Sequence, residues 1–324
     1  MEEISFELVG KVLEQDITSD LNILLLKKGT VLTETNILLL KKHNYKAVKV
    51  SEDGSFKTLY LRHLKQVEDL FTDFHTSREW FDKEEYIVRK VQRDVFYLEE
   101  LYLFEDKSNL YRHSANVGLL AFFLGKLLRY SYKNKLLLWQ MGLLHDIGKL
   151  KLKVDIVNKK VEELTVEEFQ EYRQHPEFGW NLLKGMNGVN VMMLNAARHH
   201  HEHIDGSGFP KGINVKYLPV MVQIITVANK IDHVMSTNTN IFNLLNELME
   251  EVRGNKLNPA IVVPFVKYLL RSQLGRKVLL NDGTKCEIVY IFEQEPSQPL
   301  LSIEDENSYL DLRKHHKLKI VSSV

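Results

Sequence analysis

Histidines are concentrated in one stretch of this sequence, where they stand beside acids and glycines. The stretch contains GLLHDIGKL at 142–150, the pair His175-Pro176, and HHHEHIDGSGFP at 199–210. Imidazole and carboxylate are the ligands that borderline divalent metals prefer. Without a metal, a buried cluster of this kind would leave polar groups unpaired at a large cost in free energy. The sequence therefore predicts a fold built around bound metal ions.

Length and charge limit the class of protein. The chain has 324 residues, enough for two or three domains. Lys plus Arg and Asp plus Glu both number 43, so the formal net charge is zero. Because no overall field would attract a polyanion, we expect no DNA partner.

The single cysteine, Cys286, excludes an intrachain disulfide, and the first residues, MEEISFEL, lack the basic-then-apolar order of a signal peptide. No apolar run approaches the roughly 20 residues that a bilayer span needs. These features predict a cytoplasmic chain without a membrane span.

Residues 1–60 mix short Val, Ile and Leu runs with turn signals and one capped helix at 33–44, which predicts a small α+β module. This module fits a regulatory or dimerising unit and a structural cap equally well. Residues 61–107 are charged, poor in Gly and Pro, and spaced at helical intervals, which predicts connecting helices.

The metal-type residues lie in a long helical zone at 108–274. Its helical segments are predicted at 119–128, 136–144, 167–183, 191–200 and 220–235. Residues 275–324 change to short strands around the turn dipeptide Asp282-Gly283, which predicts a small β module. The predicted fold is mainly α, with a helical metal domain between the two small modules.

His145 and Asp146 follow each other at the end of an apolar helix, about 100° apart on its surface. They can bind one ion together, or Asp146 can bridge two ions through its two oxygens. Gly148 allows a close approach of the chain, and Lys149 places a cation where a phosphate oxygen would lie. Taken alone, these residues fit a capped helix end with a surface lysine equally well.

His200 and His201 form a second pair, followed by the turn at 206–210. A glycine-rich turn that ends in Phe209 and Pro210 places a rigid loop beside the pair, suited to a flat base or to shaping an entrance. The alternative is a solvated histidine tract that binds metal adventitiously. The surrounding acids and glycines favour a built site.

Five segments stand in a characteristic order. They are HDIGKL (145–150), NKKVEELTVEEF (158–169), HPEFGWNLL (175–183), HHEHIDGSGFPKG (200–212) and VQIITVANKID (222–232). Together they resemble the HD-GYP domain, a subgroup of the HD phosphohydrolases, over about residues 108–272. The resemblance implies an all-helical HD-type domain. Active members hydrolyse cyclic di-GMP at a centre of two or three metal ions, commonly iron or manganese.

The resemblance also implies roles for single residues. The implied metal ligands are His113, His145, Asp146, His175, His200 and His201, with Asp146 bridging the ions and the last three residues around the second ion. Lys149 would contact a substrate phosphate. The motif loop would be Gly208-Phe209-Pro210, where Phe replaces the usual Tyr and keeps the ring without the hydroxyl.

Three positions depart from the family pattern. Asn229 stands where the family has its last ligand, an Asp, and the lost charge predicts a more weakly held first ion. Asn109 stands where members with a third ion carry Glu, so we expect two ions. Asn238 replaces the first Arg of a stretch that grips a substrate phosphate, and an amide cannot supply that charged, bidentate contact.

The leading prediction is a metal-dependent phosphodiesterase that opens cyclic di-GMP or a related cyclic dinucleotide, with a water or hydroxide between two ions as nucleophile. Asn238 leaves another cyclic dinucleotide or a smaller phosphate ester open as substrate. The alternative is a degenerate HD-GYP module that binds a nucleotide or a partner protein without turnover. Asn229 and Asn238 favour this alternative, and the six retained ligand-type residues argue against it. Signalling proteins and a second copy of the chain are further expected partners.

Overall fold

The computed structural model is mainly helical and has short strands near both ends, which confirms the predicted fold class. It describes residues 1–8, 11–19, 23–30, 32–51, 56–72, 86–96, 98–102, 109–237, 240–292, 294–295, 298–303 and 308–323. No helix within these ranges is long and apolar enough to cross a membrane.

The N-terminal residues form two-stranded antiparallel ribbons and a helix. The strands are β1 (Glu2–Glu3), β2 (Val12–Leu13), β3 (Ile17–Thr18), β4 (Leu24–Leu26), β5 (Ala47–Val48) and β6 (Val50–Ser51), paired β1–β5, β2–β6 and β3–β4. Helix α1 (Glu34–Lys42) begins at Thr33, whose hydroxyl and amide are paired with the amide and side chain of Asn36. Buried apolar side chains in this region pack into a cluster of their own.

The connecting zone contains helix α2 (Phe56–Thr72), helix α3 (Tyr86–Arg93) and a short 3-10 helix, Leu98–Tyr102. Helix α2 buries one face, including Tyr60, His63 and Val67. Tyr60 and Val67 belong to the main hydrophobic core, together with apolar residues of the helices that follow. Residues 73–85, 97 and 103–107 of the predicted connecting zone lie outside the described residues.

The central helices follow the predicted segments closely. They are α4 (Leu110–Leu127), α5 (Tyr132–Leu144), α6 (Val154–Asn158), α7 (Val166–Tyr172), α8 (His175–Leu183), α9 (Val191–His199), α10 (Val220–Thr237), α11 (Ile241–Arg253) and α12 (Pro259–Gln273). The prediction of one helix at 167–183 was wrong. The helix ends at Tyr172 and a new one begins at His175, because Pro176 has no backbone N–H to continue the earlier hydrogen-bond series.

Two glycines allow α4 and α5 to touch backbone to backbone. A Cβ on Gly142 would lie 2.7 Å from the Cα of Gly118. Because the helices pack this closely, the beginning of α4 with His113 meets the end of α5 with His145. The helix pair therefore positions one side of the candidate site.

The C-terminal residues form a five-stranded antiparallel sheet. In the order β10-β9-β8-β7-β11, its strands are β10 (Tyr309–Asp311), β9 (Leu300–Ile303), β8 (Lys285–Tyr290), β7 (Lys277–Leu280) and β11 (Ile320–Ser323). Strands β7 and β8 form the predicted hairpin, whose turn contains Gly283 with φ +88°. Buried side chains of this sheet, Cys286 and Leu301 among them, join the main hydrophobic core.

Candidate metal centre

Two groups of ligand-type side chains meet at the carboxylate of Asp146. The first group consists of His113, His145 and Asp146, and the second of Asp146, His175, His200 and His201. Within each group the ligand atoms lie within 4.8 Å of one another. The structure thus brings together six residues that the sequence singled out, from four separate places in the chain.

The first group surrounds one oxygen of Asp146. The distance from Asp146 Oδ2 to His113 Nε2 is 3.2 Å, and that to His145 Nε2 is 3.4 Å. The two imidazole Nε2 atoms are 3.1 Å apart. Three potential ligand atoms therefore converge on one point.

The second group surrounds the other oxygen. Asp146 Oδ1 lies 3.2 Å from His175 Nε2 and 3.3 Å from His200 Nε2, and these nitrogens are 3.2 Å apart. The Nε2 atom of His201 is buried and has no hydrogen-bond partner among the described residues. The two oxygens of one carboxylate thus face two separate sets of nitrogens.

Hydrogen bonds on the far side of each ring define which nitrogen carries the proton. The Nδ1 atoms of His145, His175 and His200 donate to the carbonyls of Gly142, Tyr172 and Ala196 at 2.7, 2.6 and 3.0 Å. Because a carbonyl only accepts, Nδ1 holds the proton and Nε2 presents a lone pair to the site. The lone pairs of His175 and His200, whose Nε2 atoms are 3.2 Å apart, repel unless a cation lies near them. This donor set fits a divalent metal ion in each group.

Burial keeps the histidines of the second group neutral. It lowers the pKa of His175 and of His200 to about 4, against smaller opposing effects of Asp146. Burial also lowers the pKa of His201 well below its usual value. Neutral imidazoles are the form that binds metal, so no proton has to be displaced from these rings near pH 7.

Lys149 forms an ion pair with the shared carboxylate. Its Nζ lies 2.6 Å from Asp146 Oδ2 and 5.2 Å from the centre of the Tyr172 ring. Burial alone would raise the pKa of Asp146, but Lys149 and the neighbouring histidines hold it well below its usual range. Asp146 is therefore ionised, as a metal ligand requires.

The turn Gly208-Phe209-Pro210 lies directly over the second group. The Phe209 ring stacks on His201, with 4.4 Å between ring centres and 16° between planes. The Phe209 amide donates to the His201 carbonyl at 3.1 Å, and a Cβ on Gly208 would lie 2.4 Å from that carbonyl oxygen. The turn therefore forms one wall of the site.

Glu202 holds the base of this turn. Its buried carboxylate accepts from the backbone amides of Lys211 at 2.7 Å and Ile213 at 2.9 Å. No specific role for Glu202 was predicted from the sequence. An acid shortly before a glycine-rich turn is the signal that indicates this clamp, because the backbone amides of such a turn need acceptors.

Asp232 is a functional residue that the sequence analysis missed. Its Oδ2 accepts from His113 Nδ1 at 2.7 Å, and its Oδ1 accepts from Tyr102 Oη at 2.7 Å and from Asn116 Nδ2 at 2.8 Å. Although burial lowers the pKa of His113, hydrogen bonds to Asp146 and Asp232 raise it to about 9. A lone Asp in the apolar segment 220–235 was the available signal, because a buried carboxylate needs partners.

The structure describes two of the three residues that depart from the family pattern. Asn229 lies on α10, half-buried and one turn before Asp232. Asn109 caps α4, since its Oδ1 accepts from the Arg112 amide at 2.8 Å. Asn238 lies outside the described residues.

Comparison with known proteins identifies relatives of this chain. The family model described as "HD domain" matches residues 98–240. A cyclic di-GMP phosphodiesterase of Thermotoga maritima is 28% identical over 241 residues, which cover 72% of this chain and 62% of that protein. A second cyclic di-GMP phosphodiesterase, from Pseudomonas aeruginosa, is 32% identical over 147 residues, 44% of this chain and 35% of that protein. The chain thus spans less than two thirds of the length of either relative.

A solved structure shows the same fold. It is described as an HDG"Y"P protein of Bdellovibrio bacteriovorus, and it superposes with a TM-score of 0.56 at 17% identity. The match covers 83% of this chain and 95% of that chain. At this level of identity the likeness concerns the fold alone.

Proposed function

Because the chain belongs to the HD domain family and its motifs resemble the HD-GYP type, we propose that it is a metal-dependent phosphodiesterase for a cyclic dinucleotide. The observation that carries the proposal is the position of Asp146. Its two oxygens each face a separate pair of histidine Nε2 atoms at 3.2–3.4 Å. A carboxylate in this position suits two adjacent metal ions.

We propose that the first ion is held by His113, His145 and Asp146, with the amide oxygen of Asn229 as a further ligand. The second ion is held by Asp146, His175, His200 and His201. Iron and manganese are the proposed metals, because the resemblance to the HD-GYP domain implies them and a mixed set of imidazole and carboxylate ligands accommodates both. When bound, the ions acidify a water molecule for attack on phosphorus and neutralise charge on the phosphoryl oxygens.

The side chains around the ions have separate proposed tasks. Lys149 keeps a positive charge beside Asp146 and is the proposed contact for a substrate phosphate. Gly208, Phe209 and Pro210 form the proposed wall against which the nucleotide lies, because their turn covers the second group. Rigid placement of this wall favours one orientation of the bound phosphodiester.

Cyclic di-GMP is the proposed first substrate, since the two relatives described above carry that name. Asn238 stands where the family has an Arg, so one phosphate loses a charge-assisted contact that contributes about 1.5–3 kcal/mol. We therefore expect weaker binding than in members that retain this Arg. Other cyclic dinucleotides and a simple phosphodiester belong in the same substrate comparison.

The test is a hydrolysis assay with manganese- or iron-loaded protein, in which the linear dinucleotide and GMP are separated from cyclic di-GMP. Wild type should form the linear product, and Asp146→Asn should lose activity by about a hundredfold or more. Asp155→Asn, at an exposed position of α6, is the matched control and should keep full activity. Equal rates in wild type and Asp146→Asn would contradict the proposal.

The second candidate function is binding without turnover. The neutral Asn229 favours it, because a weakly held first ion would impair the chemistry while leaving a nucleotide pocket. Tight binding of cyclic di-GMP by metal-loaded wild type, without product, would support this function over hydrolysis. Calorimetry and the product assay on the same sample distinguish the two.

A further inference from the structure

A buried polar network connects the connecting zone to the first group of ligands. Tyr60 of α2 donates a hydrogen bond to Asn116 Oδ1 on α4. Asn116 Nδ2 donates to Asp232 Oδ1 at 2.8 Å, and Tyr102 Oη donates to the same oxygen at 2.7 Å. Asp232 Oδ2 then accepts from His113 Nδ1 at 2.7 Å. Residues from four separate elements thus lead to one imidazole.

The direction of each hydrogen bond in this network is determined by its partners. Because the Asp232 carboxylate only accepts, Asn116 must turn its N–H groups toward Asp232, which leaves Asn116 Oδ1 to accept from the Tyr60 hydroxyl. The reversed amide would place an oxygen against the carboxylate. Tyr60 therefore acts on Asp232 through Asn116, although it does not touch the carboxylate.

Asp232 is held in one orientation. It is 1% exposed, and one of its oxygens accepts from His113 while the other accepts from Tyr102 and Asn116. A carboxylate fixed by these contacts fixes the His113 ring through Nδ1, and with it the direction in which Nε2 points toward Asp146 and His145.

Two histidines of the second group are held at Nδ1 by backbone carbonyls and not by a carboxylate. His175 and His200 donate their Nδ1 protons to backbone carbonyls of Tyr172 and Ala196. Those acceptors are parts of helices and do not depend on side chains of the connecting zone. Loss of a tyrosine hydroxyl should therefore affect the first group alone.

We propose that Tyr60 and Tyr102 are positioning residues for the first metal ion, acting through Asp232 on the orientation of the His113 ring. The metal-binding unit accordingly extends beyond the histidine motifs into α2 and the 3-10 helix Leu98–Tyr102. This inference rests on the proposed function in one respect, namely that an ion binds at His113.

Manganese titration of the metal-free protein tests the inference. Wild type should show two dissociation constants by calorimetry. Tyr102→Phe should weaken one of them about tenfold, as expected for loss of an outer-shell hydrogen bond, and leave the other within about twofold. Tyr60→Phe should weaken the same constant less, because its effect passes through Asn116. His113→Gln identifies which constant belongs to the first group.

Tyr268→Phe is the matched control. Its hydroxyl donates to the Phe96 carbonyl at 2.6 Å, and the ring is half-buried like that of Tyr102, but it does not touch Asp232. Both manganese constants should be unchanged in this variant. If loss of any tyrosine hydroxyl simply loosened the core, the manganese constants of Tyr268→Phe and Tyr102→Phe would change alike. That result would overturn the inference.

A second readout does not require metal. In metal-free protein with ¹⁵N-labelled histidine, Tyr102→Phe should move the His113 ring signals away from their wild-type positions, because Asp232 loses one of the hydrogen bonds that fix its orientation against His113. Unchanged constants and an unchanged His113 signal in Tyr102→Phe would overturn the inference and leave the proposed function intact. Absence of manganese binding by wild type would instead reject the proposed metal centre, and an unchanged His113 signal would then reject the positioning role as well.

Discussion

Gly148 lies so close to His175 that a Cβ at position 148 would stand 1.9 Å from the His175 carbonyl oxygen. The same Cβ would stand 2.4 Å from the Gly179 amide nitrogen. The 3-10 helix Ile147–Lys151 therefore packs backbone to backbone on the start of α8. This contact determines how near His175 comes to Asp146.

Gly148→Ala should separate these two elements. Overpacking of this kind typically lowers the free energy of unfolding by about 1–3 kcal/mol. Affinity for the second ion should fall more than affinity for the first, because His175 belongs to the second group. Gly179→Ala is a graded comparison, since its Cβ would lie 3.3 Å from the Gly148 nitrogen. Urea unfolding and manganese titration of both variants measure the effect, and equal second-ion affinity in wild type and Gly148→Ala would contradict it.

Asn229→Asp should strengthen binding of the first ion. Asn229 lies on α10 one turn before Asp232, and a carboxylate there adds a charge that a site for a divalent cation uses. We expect higher occupancy of the first ion and a higher hydrolysis rate, with the second ion unchanged. Metal analysis and the product assay measure these effects. If both quantities equal those of wild type, the amide is sufficient or this position does not contact the ion.

Lys149→Met should destabilise the metal-free protein more than the metal-loaded protein. Lys149 Nζ lies 2.6 Å from Asp146 Oδ2, and its removal leaves a buried carboxylate without its cation. Breaking a buried pair costs about 3–5 kcal/mol, and bound ions would replace much of the lost charge. Urea unfolding with chelator and with manganese measures the difference. The metal-loaded variant should lose substrate binding and turnover, and tight nucleotide binding by this variant would show that the phosphate pocket lies elsewhere.

His63 should make the fold sensitive to acid. Both of its ring nitrogens are buried without a hydrogen-bond partner among the described residues, and burial lowers its pKa from 6.5 to about 3. As pH falls below 6.5, the unfolded chain takes up a proton that the folded chain does not, so stability falls toward pH 3. Between pH 6.5 and 5 the loss is about 2 kcal/mol.

His63→Leu should remove this part of the pH dependence. The other buried histidines contribute equally to both proteins, so the difference between two urea series at pH 7 and pH 5 isolates His63. His315→Leu, at an exposed position, is the control and should follow wild type. A parallel loss of stability in wild type and His63→Leu would show that the ring is accessible to water.

Local patterns in the sequence were sufficient for most helices and for most of the ligand-type residues. The spacing of apolar residues predicted α5, α9, α10 and the second half of α4, and the Asp282-Gly283 dipeptide predicted the hairpin of β7 and β8. Side-chain chemistry indicated the ligand-type residues between 145 and 201, and the resemblance to the HD-GYP domain added His113. The local features depend on neighbours within a few residues, and sequence patterns record such neighbours directly.

The remaining features depend on contacts between distant parts of the chain. Asp232 and His113 are 119 positions apart, and no local pattern relates them. Tyr102 belongs to the zone at 61–107, for which the helical spacing predicted only connecting helices. The helix break before His175 follows from Pro176. The position of the His175 side chain next to Asp146 depends in addition on the close contact between Gly148 and the His175 backbone. Tertiary packing, not local preference, determines each of these.

The metal content of wild type and His200→Ala tests most directly whether Asp146 lies between two ions. We expect up to two manganese or iron ions per chain in wild type, and in manganese-loaded protein an electron paramagnetic resonance spectrum of two coupled ions. His200→Ala should lose the second ion and show the spectrum of an isolated one. Unchanged stoichiometry in His200→Ala, or an isolated-ion spectrum in fully loaded wild type, would contradict a centre bridged by Asp146.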